Sequence, residues 1–274
     1  MRRAFLIAIL SLFAAAAGGA AADGGPSPGV LTGFGGVVGP GGQLRYVAVS
    51  ADNSTVLEAV RVRDGRVLRY RSLHGYFGIP LVAYDGSVGG LSHDAKTLVL
   101  SSWPTAPGRG SATRFAVLRA ADFRLLRMVT LRGSFSFDAI APDGSTLYLI
   151  EYQSSQDYNR YRVRAYDLAA GKLLPGSIVD KREPKEAMTG SPVTRVTSPD
   201  GAWEYTLYGR ADDKPFVHAL DTARRVAFCL DLDGWHGSTS NLSPFRLELS
   251  RNGRRLFVVT RGGLRVLAVA TPRV

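Results

Sequence analysis

Five times along the chain, a short polar turn separates two apolar β-type runs. The copies are "GPGGQLRYVAVS" from residue 39, "SHDAKTLVLSS" from 92, "APDGSTLYLIE" from 141, "SPDGAWEYTLY" from 198 and "SRNGRRLFVVT" from 250. Their second turn positions are Gly41, Asp94, Asp143, Asp200 and Asn252, which gives steps of 53, 49, 57 and 52 residues. A period of this size, built from short β segments, describes one supersecondary unit stacked on the next. Asp suits such a turn because its carboxylate accepts bonds from backbone amides just downstream, and Gly suits it because it tolerates positive φ. Pro fits the turn entry, where no ladder amide is needed.

A second motif follows each of the first four turns: "VLEAVRVRDGRVLRY" from 56, "RFAVLRAADFRLLRM" from 114, "YRVRAYDLAAGKLLPG" from 161 and "FVHALDTARRVAFCL" from 216. Each is an alternating run, a polar turn and another run, so it reads as a second hairpin. A unit therefore holds four antiparallel strands, a to d, and the units together predict an all-β propeller. Five blades are expected over residues 29–274, with six as the alternative if "IPLVAY" (79–84) belongs to a degenerate blade. The fifth unit lacks an outermost strand, and "GVLTGF" (29–34) is expected to supply it by pairing with 264–269 and closing the ring without exposed edges.

The recurring "SPDG" hairpin resembles the exported bacterial β-propellers with WD40-like, YVTN-like and TolB-like repeats. "HDA" lacks the Gly and "RNG" lacks the Pro of that pattern. The resemblance implies a ring of blades. It implies little about activity, since such rings serve as binding scaffolds, docking modules and, less often, enzymes.

The N-terminus differs from the repeats. Arg2 and Arg3 precede the apolar run "AFLIAILSLFAAAA", and small residues follow up to Ala22. This is the pattern of a cleavable secretory signal over 1–22, with an apolar run too short to span a bilayer, followed by a linker at 23–28. A secreted, extracellular or periplasmic location follows, by the general export route more readily than the twin-arginine one. The single cysteine, Cys229, has no partner for an internal disulfide, so stability must come from packing. Formal charge is +11, almost all of it Arg, since Lys occurs five times. That charge favours a protein or an anionic cell-envelope polymer as partner, and the chain has no compact basic tract or nucleic-acid motif.

Motifs for chemistry are weak. "GPSPG" (25–29) has the spacing of a hydrolase nucleophile elbow around Ser27, but two prolines in a linker prevent the strand-to-helix turn that the motif needs. The histidines His74, His93, His218 and His236 are scattered, and "DLDGWHG" (231–237) reads as a loop with a packed Trp rather than a metal loop. No cofactor is expected. In an up-and-down blade the short a–b and c–d turns share one end, and the long b–c and blade-to-blade loops share the other. Long loops on a rigid ring are where binding residues concentrate. The candidate binding face is therefore Tyr76, Phe77, Trp103, Arg109, Tyr152, Tyr158, Lys181, Arg182, Trp235 and His236, aromatic rings beside cations.

The leading expectation is a non-catalytic binding or protein-interaction module. The alternatives are a metal-dependent hydrolase or lactonase with a channel site, and a structural scaffold of an envelope complex. Inward Asp, Glu, Asn or His from several blades would favour the enzyme, and an apolar or plugged channel the scaffold. Exported protein should begin at or within a few residues of Asp23. Intact-mass measurement checks this, and a mass retaining residues 1–22 would refute the signal reading.

Overall fold

The computed structural model describes residues 33, 35–102, 112–154, 160–182, 188–210, 214–232, 235, 239–260, 262–263 and 265–270. Within them the strands form consecutive antiparallel sheets in chain order, and the fold is a β-propeller. Blade 1 holds β1 (Val37–Val38), β2 (Leu44–Ala51), β3 (Ser54–Arg61) and β4 (Val67–His74). Blade 2 holds β5 (Phe77–Gly78), β6 (Thr97–Ser102), β7 (Ala112–Arg119) and β8 (Leu125–Arg132). Blade 3 holds β9 (Phe135–Ile140), β10 (Thr146–Tyr152), β11 (Tyr161–Asp167) and β12 (Lys172–Leu173). Blade 4 holds β13 (Ser191–Thr197), β14 (Trp203–Gly209), β15 (Phe216–Asp221) and β16 (Val226–Asp231). A single-turn helix α1 (Thr239–Leu242) leads into blade 5, with β17 (Arg246–Leu249), β18 (Arg255–Val259) and β19 (Arg265–Ala270).

The repeated turn works as its residues predict. In blades 2, 4 and 5 a serine two positions before the turn Asp or Asn brackets it. Ser92, Ser198 and Ser250 donate to Asp94, Asp200 and Asn252, and each serine oxygen accepts the amide five residues on. The same Asp or Asn oxygens accept the amides of Lys96, Ala202 and Arg254. In the c–d turns Asp64, Asp122, Asp167 and Asp221 play the equivalent part. Positive φ recurs at fixed places, held by Gly144, Gly201 and Gly253 in three a–b turns and by Ala95 (φ 55) in the one whose sequence departs. The backbone bonds thus impose the left-handed step even where Gly is missing.

Among the described residues the sheets pack face to face along four seams. Leu57 and Ala59 of blade 1 meet Leu98, Leu100 and Leu118 of blade 2. Phe115 and Val117 meet Phe137, Leu147 and Leu149 across the next seam. Blades 3 and 4 join through Tyr152, Tyr161, Tyr208 and Phe216 with Ala139, Val163 and Leu220. Blades 4 and 5 join through Leu207, Val217, Leu247, Leu256 and Val258. Two pegs reinforce this: Phe123 stands edge-on to Tyr46 with Arg69 over both rings, and Tyr148 donates to the carbonyl of Thr222 at 2.6 Å. The face of blade 1 turned away from blade 2 is different, with Val49 47%, Val67 42% and Tyr70 75% exposed.

Two expectations need adjustment. "IPLVAY" builds no blade of its own: Leu81 pairs with Val88 to make the first arm of a hairpin inserted into the inner edge of blade 2. The closure by 29–34 falls mostly outside the described residues. Gly33, its one described residue, gives its amide to the carbonyl of Ile79 at 2.6 Å, and the described part of blade 5 has three strands.

Ala95→Gly should stabilise the fold by about 0.5–1 kcal/mol, the strain of a left-handed Ala less the extra freedom of Gly in the unfolded chain. Gly253→Ala, at φ 67 with only ordinary contact to Pro199, should lower it by a similar amount. Urea unfolding of both variants checks the pair.

Candidate functional site: a cup at the channel mouth

The inserted hairpin determines what the ring centre can hold. It leaves blade 2 after β5, runs out through Pro80, Leu81 and Val82, turns at Asp85 and Gly86, and returns to pair Leu91 with Leu98. Asp85 stabilises the tip by accepting the amide and hydroxyl of Ser87. Val82 packs with Phe137 on the inner strand of blade 3. At the tip, the amides of Tyr84 and Asp85 donate to the carbonyls of Pro192 and Val193 on the inner strand of blade 4, at 3.1 and 3.0 Å. Val193 is available because β13 bulges there: Pro192 opposes Tyr208 while Thr194 opposes Leu207. Gly89 and Gly90 permit the return arm, since a Cβ would lie 2.7 Å from the Phe137 ring at one and 2.5 Å from the Val99 carbonyl at the other.

The hairpin plugs the channel and becomes the floor of a cup that opens toward the short-turn end, with a volume of about 430 Å³. One wall is apolar, from Val37, Val88 and Leu91, with Phe137 and Ile140 beside them. The other carries Asp138, Arg195, Thr197 and Glu204. At the rim, His93 of the blade 2 turn lies against Gly201 of the blade 4 turn, where a Cβ would come within 2.4 Å of the imidazole.

Asp138 reaches this place through a second inner-strand bulge: Ala139 opposes Tyr148 and Phe137 opposes Leu149, so Asp138 is the extra residue. A bulge re-aims the side chain it carries. Arg195 crosses the seam between blades 3 and 4 to the main-chain oxygen and Oδ1 of Asp138, and its Nε donates to Thr206 at 2.8 Å. Both side chains are nearly inaccessible, and no described donor reaches Asp138 Oδ2. Glu204 is half-buried and accepts the Thr197 hydroxyl at 2.8 Å; burial pushes its carboxyl above the usual range.

Behind this wall the seam stays polar. Tyr152 shares a hydrogen bond with Ser136 at 2.9 Å, Tyr161 bonds to Tyr208, and burial raises the Tyr161 and Tyr208 phenols well above their ordinary value. His218 is 2% exposed, stands edge-on to Tyr208, and has no described partner at either ring nitrogen. Burial lowers its pKa to about 4.

Of the expected binding face, Trp103, Arg109, Tyr158 and His236 lie outside the described residues. Phe77 is 1% exposed and Tyr152 6%, so both rings pack inside. Tyr76 is exposed and Lys181 is exposed. Arg182 holds the buried Asp180 carboxylate, which also accepts the amide of Cys229. Trp235 packs edge-on to Phe245 in the seam between blades 4 and 5, and Cys229 is half-buried. The cup residues escaped the sequence reading because Asp138 and Arg195 stand 57 positions apart inside apolar strands.

No protein-family model matches the sequence, and no curated protein matches it. Among solved structures, the chain is similar to hydrazine synthase from Kuenenia stuttgartiensis, with 15% identity and a TM-score of 0.44 over 82% of this chain and 72% of that one. It is also similar to the Cps50 (Swd1) β-propeller domain of Myceliophteria thermophila, with 12% identity and a TM-score of 0.49 over 84% and 64%. A third is TolB from Acinetobacter baumannii, with 12% identity and a TM-score of 0.47 over 83% of this chain but only 51% of that one. At these identities and scores the likenesses say nothing of ligand or activity.

His218 makes stability depend on pH with a definite sign. The unfolded state takes up the proton near 6.5 and the folded state only near 4, so stability is complete above 6.5 and falls as pH drops toward 4. At about 1.4 kcal/mol per tenfold difference in proton affinity, the loss is about 3 kcal/mol. Glu204 acts in the opposite sense, because the folded state holds its proton more tightly. His218→Leu should therefore flatten the decline between pH 6.5 and 4, measured by urea unfolding at several pH values.

Proposed function

We propose that this propeller is an exported, non-catalytic binding module whose partner is an anionic polymer or surface of the cell envelope. The observation that separates it from the scaffold alternative, which a plugged channel suits equally, is the excess of basic charge. The hairpin from blade 2 is bonded to blade 4 across the centre, so the ring is no conduit and its working surfaces are its two ends and its rim. Among the described residues no three His, Cys, Asp or Glu side chains gather as a metal site requires. The formal charge, +11 for the whole chain and +9 once Arg2 and Arg3 leave with the signal, supplies the attraction, and the sequence pattern of residues 1–22 supports export. Lys181, exposed beside the outer edge of blade 4, and Tyr76, exposed after β4, offer a cation and a ring of the kind suited to a charged, hydrated partner.

Mature protein should co-sediment with vesicles containing phosphatidylglycerol, or with an anionic wall polymer, and be released by salt. Neutral phosphatidylcholine vesicles should not retain it. Lys181→Ala should weaken binding about fivefold, the value of one basic residue near an anionic surface, with an unchanged melting temperature. Equal retention by neutral vesicles, or insensitivity to salt, would rule this reading out.

A further inference from the structure

We propose that the cup at the channel mouth binds a small organic cation, an amine or guanidine with a short apolar body. The reasoning is a charge balance and goes beyond the surface recognition proposed above. Two carboxylates, Asp138 and Glu204, share the polar wall with one guanidinium, Arg195. Arg195 is committed, with two bonds to Asp138 and one to Thr206. Among the described residues Glu204 accepts only the Thr197 hydroxyl, and Arg195, whose charge favours its carboxylate, is bonded to Asp138 and not to it. Asp138 Oδ2, in a side chain 1% exposed, has no described donor. With Glu204 ionised, the polar wall thus sets two carboxylates against one guanidinium, in a chain whose formal charge is strongly positive.

Charges taken out of water are ordinarily paired or neutralised. A proton is one way to balance Glu204, and its raised pKa reflects that pull. A cationic ligand is the other, and the walls indicate which kind. An ammonium or guanidinium head would sit on Glu204, while Val37, Val88 and Phe137 opposite would cover a hydrocarbon body. The volume of about 430 Å³ lies within the range of small-molecule sites. Contact of His93 with Gly201 narrows the rim, which favours slender, acyclic ligands. An anion is disfavoured because Arg195, the cation of the wall, is engaged and paired.

The test is titration calorimetry of the mature protein at pH 7.5 with n-butylamine, agmatine and uncharged n-butanol. Both amines should bind saturably with one site, and butanol should not. Glu204→Gln keeps an acceptor for Thr197 but removes the charge, and should weaken amine binding at least tenfold while the melting temperature and anionic-vesicle binding persist. Should Glu204→Gln fail to fold, wild-type protein titrated from pH 7.5 down to pH 4.5 serves instead, and affinity for butylamine should decline as Glu204 takes up its proton. Butanol binding as well as butylamine would overturn the proposal. So would an unaltered affinity in Glu204→Gln, a pH-independent affinity, or no saturable heat from either amine with folded protein. Vesicle binding retained alongside any of these outcomes would leave the envelope reading standing alone.

Discussion

Two main-chain hydrogen bonds, from the amides of Tyr84 and Asp85 to the carbonyls of Pro192 and Val193, tie together two blades that are not neighbours in the chain. Much of the interior depends on this tie. It needs a bulge in β13 to present the Val193 carbonyl, glycines at 89 and 90 to let the return arm pass Phe137 and Val99, and Val82 to fill the space against blade 3. With the tip held, the hairpin becomes a floor, and the inner strands above it become walls. Backbone pairing is well suited to this role because it fixes position without relying on any particular side chain.

The seams of the ring differ in chemistry. Three rely mainly on aliphatic and aromatic packing, in which truncating a fully buried leucine such as Leu57, Leu98 or Leu256 costs about 2–5 kcal/mol. The seam between blades 3 and 4 instead buries Arg195, Asp138, His218 and three tyrosines. A buried ion pair often contributes little net stability compared with an apolar substitute, yet losing one partner leaves an isolated charge and costs several kcal/mol. Such a seam tolerates few alternative packings. It holds Asp138 and Arg195 in fixed positions beside the cup, and it makes this joint the one most sensitive to acid.

The repeated turns could be read from the sequence because the signal is local: Ser, Asp and Gly each act on backbone within five residues. Blade order and strand alternation follow from the same pattern. The hairpin at 80–89 was harder to place, because "IPLVAY" alternates like a blade strand and nothing local says that its partner is Val88 instead of a neighbouring sheet. Asp138 was hidden for a related reason. Within "FSFDAI" it looks like one polar residue in an ordinary strand, and only the bulge opposite Tyr148 and Leu149 brings it to Arg195. Phe77 and Tyr152 lie at loop edges in the sequence, but Phe77 opens β5, Tyr152 ends β10, and both turn inward. Long-range pairing and bulges decide these positions, and neither leaves a periodic trace.

The tie between blades 2 and 4 also has a mechanical consequence. A ring of stiff plates joined edge to edge can shear like a hinged polygon, but a diagonal brace between alternate plates locks the three it spans into a triangle. Blades 2, 3 and 4 form that triangle, and the Tyr148 peg and the outer clasp of Asp180 on the Cys229 amide fasten its outer side. Among the described residues, blades 1 and 5 each meet the triangle along one seam, and blade 1 keeps Val49 and Tyr70 largely in solvent on its far face. The braced triangle carries the carboxylates and guanidinium of the cup as a rigid frame, and among the described blades the freedom to shear lies with the two flanking arms.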